Sequence, residues 1–254
     1  MEGGRLFVTE RPNVGIVLRD SFALFVSHVA QFVTITSLTL IPLIVFFVYV
    51  ALTMPDPARA APGPATVIGM LIVMPIFAIL FLVGTQLASA ALTYGVFQIE
   101  RGAPLRIGSC LTIGLRRLPI VLLVSLAVGI LALLGLVACI VPGILIALAL
   151  SMAVPAAVVE RHSVGSALRR SVDLTRGFRG IVFGSFAVLT LLQFAVNLVL
   201  GAVSLANQIV STVLSMVAYV GFGSLQATVL AVLYYRLRAA KGALDVDQIA
   251  AVFE

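Results

Sequence analysis

The sequence predicts an all-α membrane protein whose chain crosses the bilayer six times. Of its 254 residues, 61% are hydrophobic and only 10% are charged, whereas soluble domains are about 45–50% apolar and about 25% charged. So few charged groups cannot cover the surface of a soluble fold of this length, and the mean hydropathy of +1.20 agrees. The composition therefore excludes disordered, collagen-like and disulfide-rich proteins, and nearly all soluble enzymes.

Four long uncharged runs separate clusters of charged residues. Because a helix needs about 20 apolar residues to cross the hydrocarbon core, the first two runs hold one span each and the last two hold two each. The predicted spans lie near residues 29–53, 66–97, 118–137, 143–158, 181–203 and 209–235. Membrane strands would need apolar and polar residues in alternation, which these runs lack.

Helix-breaking residues predict the turns within the two double runs. Pro142 and Gly143 stand at the midpoint of the third run, and Asn207 and Gln208 at the midpoint of the fourth. Both turns are predicted to be tight. Three further prolines predict kinks within spans, and these are Pro42, Pro75 and Pro155.

The distribution of Lys and Arg predicts the orientation. Three precede the first span, four lie between the second and third, five between the fourth and fifth, and three follow the sixth. Only Arg59 lies on the other side, which predicts cytoplasmic termini by the positive-inside rule. The net charge of +6 then reflects topology and nearby anionic lipid, and no nucleic-acid partner is expected. Cys110 and Cys139 fall on opposite sides and should not form a disulfide.

A cleaved signal peptide is the alternative interpretation of the N-terminal segment, with residues 58–60 as its cleavage site. Its apolar stretch would be 25 residues long, whereas signal peptides have about 7–15. We therefore expect an uncleaved first span.

Amphipathic helices are predicted on the arginine-rich side, near residues 13–27, 105–117 and 163–176. In the third, apolar or small residues recur at helical spacing, Ser163 is a candidate N-cap and Gly177 a candidate stop. Such helices would lie in the headgroup plane with arginines toward phosphate. The candidate headgroup contacts are Arg116, Arg117, Arg169, Arg170 and Arg176. The alternative is that these arginines only enforce topology.

A short pattern occurs at the start of each predicted amphipathic helix, in residues 14–21, 107–114 and 164–171. It consists of a branched aliphatic residue, a glycine, then a leucine and a small residue at fixed spacing. Each copy precedes two spans, which predicts three units that each combine an interfacial helix with a transmembrane hairpin. A chance match in an apolar-rich chain is the alternative.

The predicted spans carry no ionisable side chain at mid-membrane depth, which argues against proton relays, voltage sensors and ion-coupled carriers. The candidate intramembrane polar contacts are Gln86, Gln193 and Asn197, as packing contacts or as the lining of a transport path. The sequence has no cluster typical of metal sites, no phosphate-binding glycine loop and no catalytic constellation. We expect no enzymatic activity, cofactor or metal.

Several segments together resemble a known family. They are residues 141–144, 155–160, 163–177 and 233–238, which combine a turn, a span end and an amphipathic helix in order. The chain resembles the membrane domains fused to some bacterial glycerophosphoryl diester phosphodiesterases, which also occur alone as YciC-like inner-membrane proteins. The resemblance implies a six-span protein of the bacterial inner membrane. It transfers no catalytic residue, because the phosphodiesterase chemistry of that family belongs to a separate soluble barrel.

The expected function is therefore binding of membrane lipids, of a protein partner or of a second copy of the chain, through the arginine-bearing helices. The alternative is passive or partner-driven transport of a small or lipid-like solute. Polar-poor spans would suit such a cargo better than an ion.

Overall fold

The computed structural model describes residues 12–53, 64–160 and 163–253. Within these ranges the chain forms nine α-helices and no strand. They are α1 Val14–Ser27, α2 Val29–Thr53, α3 Pro64–Glu100, α4 Ile107–Ala138, α5 Ile140–Leu150, α6 Ala153–Val159, α7 Val164–Thr175, α8 Arg179–Ala206 and α9 Gln208–Phe253. Arg59 and residues 58–60, on which two of the predictions depend, lie outside the described residues.

Six segments of the described chain are long and apolar enough to cross a membrane, which confirms the predicted fold class. They lie in α2, α3, α4, the α5–α6 pair, α8 and α9. Large apolar side chains such as Leu71, Leu133 and Leu191 are more than half exposed on these helices. That exposure would be costly in water and is what a bilayer accommodates.

The buried core lies near one end of the helix bundle, around the second half of α9. Leu233, Tyr234 and Leu237 of α9 are buried there with Val17 of α1 and Leu174 of α7. This end also carries the α3–α4 connection and most of the described arginines, and we call it the basic end. The helices α1 and α7 thus pack on the bundle, while their position relative to headgroups stays a prediction.

The structure differs from the predicted segmentation at α4. Residues 105–117 were predicted as an amphipathic helix separate from the span at 118–137, yet α4 is continuous from Ile107 to Ala138 with Pro119 inside it. A proline removes one helical hydrogen bond, a loss that membrane-spanning helices tolerate.

The fourth span is broken in the middle. Its two helices, α5 and α6, are separated by Ser151 and Met152. Pro155 explains the break, because it has no N–H for the carbonyl of Ser151 and its ring crowds that carbonyl. The kink predicted at Pro155 is thus an interruption of the helix four residues earlier.

A side chain from α7 bridges this break. The Ser171 hydroxyl accepts a hydrogen bond from the Met152 N–H at 3.0 Å and donates one to the Ala149 carbonyl at 2.7 Å. Thr175 also donates to the Ala149 carbonyl, at 3.3 Å. Ser171 and Thr175 are fully buried. They satisfy backbone groups that the broken helix leaves open, and so fix α7 against the fourth span.

Replacing Ser171 with alanine should lower the free energy of unfolding by about 1–2 kcal/mol, because the buried Met152 N–H loses its partner while Thr175 still serves the Ala149 carbonyl. Unfolding in mixed detergent micelles measures this loss. Ser166, on the half-buried face of α7, provides the control. An equal loss in Ser166→Ala would show that the bridge is not the cause.

Both turns are tight, as predicted, but Pro142 and Gly143 lie inside α5 and not in the α4–α5 connection, since a proline is tolerated in the first turn of a helix. Cys139 alone separates α4 from α5, and Asn207 alone separates α8 from α9. The Asn207 side chain accepts a hydrogen bond from the Val210 N–H at 3.1 Å and so caps α9. Gly177 has φ +89° directly after the end of α7, as expected for a helix stop. Cys110 is buried, Cys139 is exposed, and both are free thiols, as predicted.

The three copies of the short sequence pattern share one pattern of burial. In residues 14–21, 107–114 and 164–171, the first residue begins a helix, the second is exposed, and the fourth and eighth are buried. The buried eighth residues are Ser21, Gly114 and Ser171. All three copies therefore begin a helix at the same position of the pattern and bury the same positions of it. The three-unit repeat stays a prediction.

Candidate functional site

Five charged residues form a network at the basic end. Asp20 of α1 pairs with the buried Arg236 of α9. Glu160, at the end of α6, contacts Arg170 of α7 at 3.1 Å and Arg238 of α9 at 3.6 Å. We call these five residues the charge network. Arg236 and Arg238, in the second half of α9, thus connect this helix to α1 and to the end of α6, where Glu160 also binds α7.

Arg170 consequently has an intramolecular partner. Its guanidinium donates three hydrogen bonds to the Glu160 carboxylate, at 3.1–3.3 Å. From the sequence, Arg169 and Arg170 are both predicted to contact lipid headgroups. The structure distinguishes the two, because Arg169 is exposed and Arg170 is half-buried.

A second group of arginines surrounds a cavity of about 600 Å³ at the same end. The cavity lies between the end of α3, the start of α4 and the end of α6. Its lining residues are Tyr94, Phe97, Arg101, Ile113, Arg116, Arg117, Val158 and Val159. We call it the arginine cavity. It brings together the predicted residues Arg116 and Arg117 and adds Arg101.

The α3–α4 connection positions Arg101 over the cavity. Gly102 adopts φ +69°, a left-handed conformation that favours glycine, and reverses the chain after α3. Gln98 fixes the connection, since its side chain donates to the Ser109 hydroxyl at 2.9 Å and accepts from the Arg106 N–H at 3.2 Å. The Arg101 guanidinium lies 4.0 Å from the centre of the Phe97 ring. This cation–π contact holds the charge without neutralising it.

The arginine cavity is strongly positive. In the part of the chain that the structure describes, none of its three arginines pairs with a carboxylate. Arg101 and Arg116 are exposed and Arg117 is half-buried. Three guanidinium groups around one cavity, with aromatic and aliphatic walls, provide what a phosphate group with an apolar attachment requires.

Arg169 and Arg176 lie apart from this cavity. Arg169 is exposed on α7 and Arg176 is exposed directly after its end, and neither forms an ion pair within the described residues. The structure thus divides the five predicted headgroup contacts into two cavity residues, one network residue and two solvent-facing residues.

Aromatic rings connect the arginine cavity to the charge network. Phe97 stacks on Tyr235 with ring centres 6.2 Å apart, and Tyr235 meets Tyr234 edge to face at 5.4 Å. The Tyr234 hydroxyl donates a hydrogen bond to Glu160 at 2.5 Å. The cavity wall therefore rests on Tyr235, which stands in α9 between Tyr234 and the two network arginines.

The three predicted intramembrane polar residues do not all lie at one site. Gln86 and Gln193 line one cavity of about 380 Å³, together with Gln226. Asn197 is exposed one turn further along α8 and lies outside this lining.

Sequence reasoning missed Tyr94, Phe97, Arg101 and Glu160 as site residues. A signal for one pair was present, because Phe97 and Arg101 are four residues apart, the spacing that brings helical side chains together. Glu160 gave no local signal, since Tyr234 is 74 residues away in sequence.

No protein-family profile, curated protein or solved structure matches this chain. Among the described residues, no three His, Cys, Asp or Glu side chains come together as a metal site. The geometry of the two cavities therefore carries the functional argument.

Proposed function

We propose that this protein is a non-enzymatic protein of the bacterial inner membrane that binds the headgroup of an anionic phospholipid in the arginine cavity. One observation carries the proposal: Arg101, Arg116 and Arg117 surround a single cavity and lack carboxylate partners within the described residues. Arginines that served only to orient the protein in the membrane would not need to surround the same cavity.

The position and size of the cavity fit a headgroup. Its residues lie at the ends of α3 and α6 and in the first turns of α4, where spans meet the polar layer. A volume of about 600 Å³ is within the range of ligand sites, about 300–1,000 Å³. Basic pockets between helices on the cytoplasmic side are suited to anionic headgroups. The apolar walls, Ile113, Val158 and Val159, would face the glycerol and the first acyl carbons.

Removing the three cavity charges should weaken lipid binding about 100-fold, because each basic residue contributes about 1 kcal/mol and 1.4 kcal/mol corresponds to tenfold. The variant is Arg101→Gln with Arg116→Gln and Arg117→Gln. Titration of fluorescent phosphatidylglycerol into protein in zwitterionic nanodiscs measures the affinity. Raising the salt concentration should weaken the parent more than the variant.

The matched control removes three exposed arginines outside the cavity, by Arg169→Gln, Arg176→Gln and Arg179→Gln. This variant should retain affinity within about threefold, because these three residues do not line the cavity and their charges act on the headgroup only at longer range, where salt screens them. Equal losses in both variants would show that overall charge, and not the cavity, attracts the lipid. Displacement of the lipid by millimolar inorganic phosphate would identify a soluble anion as the ligand instead.

We also propose that the basic end faces the cytoplasm, on the basis of the Lys and Arg distribution. The chain carries its own probe, because Cys139 is exposed at the α4–α5 turn while Cys110 is buried at the basic end. An impermeant maleimide should therefore label Cys139 in intact cells from the outside. In a Cys139→Ser background, a cysteine introduced by Ser166→Cys should react only after the membrane is permeabilised. Labelling of that cysteine in intact cells would reverse the orientation.

The resemblance to YciC-like membrane domains stays a proposal that agrees with six spans. The alternative function, passive or partner-driven transport of a small solute, has one supporting observation: Gln86 and Gln193 share a cavity. Transport would require that this cavity bind a solute.

A further inference from the structure

Three glutamine side chains meet in one cavity at mid-membrane depth. Gln86 of α3, Gln193 of α8 and Gln226 of α9 line a space of about 380 Å³, which we call the glutamine cavity. Their spans cover Leu71–Glu100, Arg179–Leu205 and Val210–Gly242. Each glutamine stands at the middle of its span. Three helices therefore contribute the same functional group at one depth.

The three amides are accessible from the cavity, since Gln86 and Gln193 are half-buried and Gln226 is exposed. Within the described part of the chain, none of their side chains forms a hydrogen bond. A primary amide carries two N–H donors and an acceptor oxygen. Leaving such groups unpaired in hydrocarbon is costly, because no water is present there to satisfy them. The cavity thus offers donors and acceptors to a bound molecule.

A hydroxyl group that is unpaired in the described chain lies next to the cavity. Ser185 of α8 is 1% exposed, and its hydroxyl has no hydrogen-bond partner among the described residues. It borders a small pocket that shares Phe186, Gln226 and Leu230 with the glutamine cavity. Buried polar side chains nearly always have partners. The unpaired Ser185 hydroxyl is therefore a second, independent sign that polar groups in this region lack hydrogen-bond partners within the described chain.

The remaining lining restricts the chemistry of the ligand. The residues that surround the cavity include no charged side chain. An ion would lose its hydration without gaining a counter-charge, so the lining disfavours it. Phe186, Phe222 and Tyr219 provide aromatic walls, and Leu40 and Leu230 aliphatic ones.

We propose that the glutamine cavity binds a small uncharged molecule that carries amide or hydroxyl groups and a short apolar part. This site differs from the arginine cavity in place and in ligand, and its existence does not depend on lipid binding there.

Butanamide and butanoate test the proposal, because they have nearly the same shape and differ in charge. Saturation-transfer NMR on the full chain in nanodiscs, with empty nanodiscs as the baseline, should detect binding of butanamide. Butanoate should give only the baseline signal. A baseline signal for both would overturn the proposal and leave water as the occupant. Equal binding of both would also overturn it, because the site would then not select against charge.

Two pairs of variants locate the binding. Gln86→Leu with Gln193→Leu should reduce butanamide affinity at least about tenfold, whereas Asn197→Leu, an exposed amide on the same helix as Gln193, should not change it.

Gly223 lines the cavity and has no atom within 4 Å of an added Cβ, so Gly223→Leu should fill the space and abolish binding. Gly221 has equal room but lies outside the lining, and Gly221→Leu should retain binding. Equal losses in a variant and its control would overturn the assignment. The triple arginine variant should bind butanamide normally, so that failure of the lipid proposal remains distinguishable from failure of this one.

Discussion

Replacing Arg236 with methionine should lower the free energy of unfolding by about 3–5 kcal/mol, the usual cost of removing one partner from a buried ion pair. The Arg236 side chain is only 5% exposed, and its partner Asp20 is 14% exposed. Among the described residues, Asp20 would retain the exposed Arg19, at 3.3 Å, as its neighbouring charge. Unfolding in mixed micelles, followed by circular dichroism, measures the change.

A double-mutant cycle separates the pair from the packing of the arginine stem. Asp20→Asn alone should also lower the free energy of unfolding. In the Asp20→Asn, Arg236→Met double variant, this free energy should fall by less than the sum of the two single-variant decreases. Arg176→Met, which removes an exposed arginine without an ion pair in the described chain, should change stability by less than about 0.5 kcal/mol. Additive losses would show that the two residues do not stabilise each other.

Replacing Gly143 with leucine should destabilise the α4–α5 hairpin by about 3 kcal/mol, the upper end of typical overpacking costs. An added Cβ at Gly143 would lie 2.7 Å from the Leu136 nitrogen and 2.8 Å from its Cα. These are backbone atoms, which cannot turn aside as the end of a side chain can. The two helices would have to separate, and the same micelle assay detects the loss.

Gly129 provides the control for this effect. It is a glycine of α4 with no atom within 4 Å of an added Cβ. Gly129→Leu should therefore leave stability nearly unchanged. If both leucine variants unfold alike, loss of glycine itself and not the close helix contact accounts for the effect.

The sequence predicted the helices well because bilayer thickness and helix caps act locally. The first predicted span coincides with α2, and α7 begins and ends within one residue of its predicted limits. Predictions failed where packing between distant segments decides the outcome. Pro119 and Pro155 both lack the N–H that a helix needs, yet the helix continues through Pro119 and is interrupted before Pro155. The sequence around each proline does not distinguish these two outcomes.

The candidate sites were predictable only in part, for a similar reason. Counting charges identified Arg116 and Arg117, but it treated Arg170 as their equivalent. What distinguishes them is Glu160, which pairs with Arg170 and contacts neither cavity arginine. Likewise, depth along each span identified Gln86 and Gln193, while the exposed position of Asn197 depends on how α8 is rotated against α9.

The charge network also bears on the order in which the protein matures during synthesis. Asp20 and Arg236 are 216 residues apart, and Glu160 and Tyr234 are 74 apart. Both carboxylates therefore leave the ribosome well before their partners on α9. Before α9 inserts, Arg19 beside Asp20 and Arg170 beside Glu160 are the counter-charges that the structure describes on the earlier helices. Insertion of α9 thus adds a second arginine to each carboxylate, Arg236 to Asp20 and Arg238 to Glu160. These two acidic groups reach their described set of contacts only once α9 is in place.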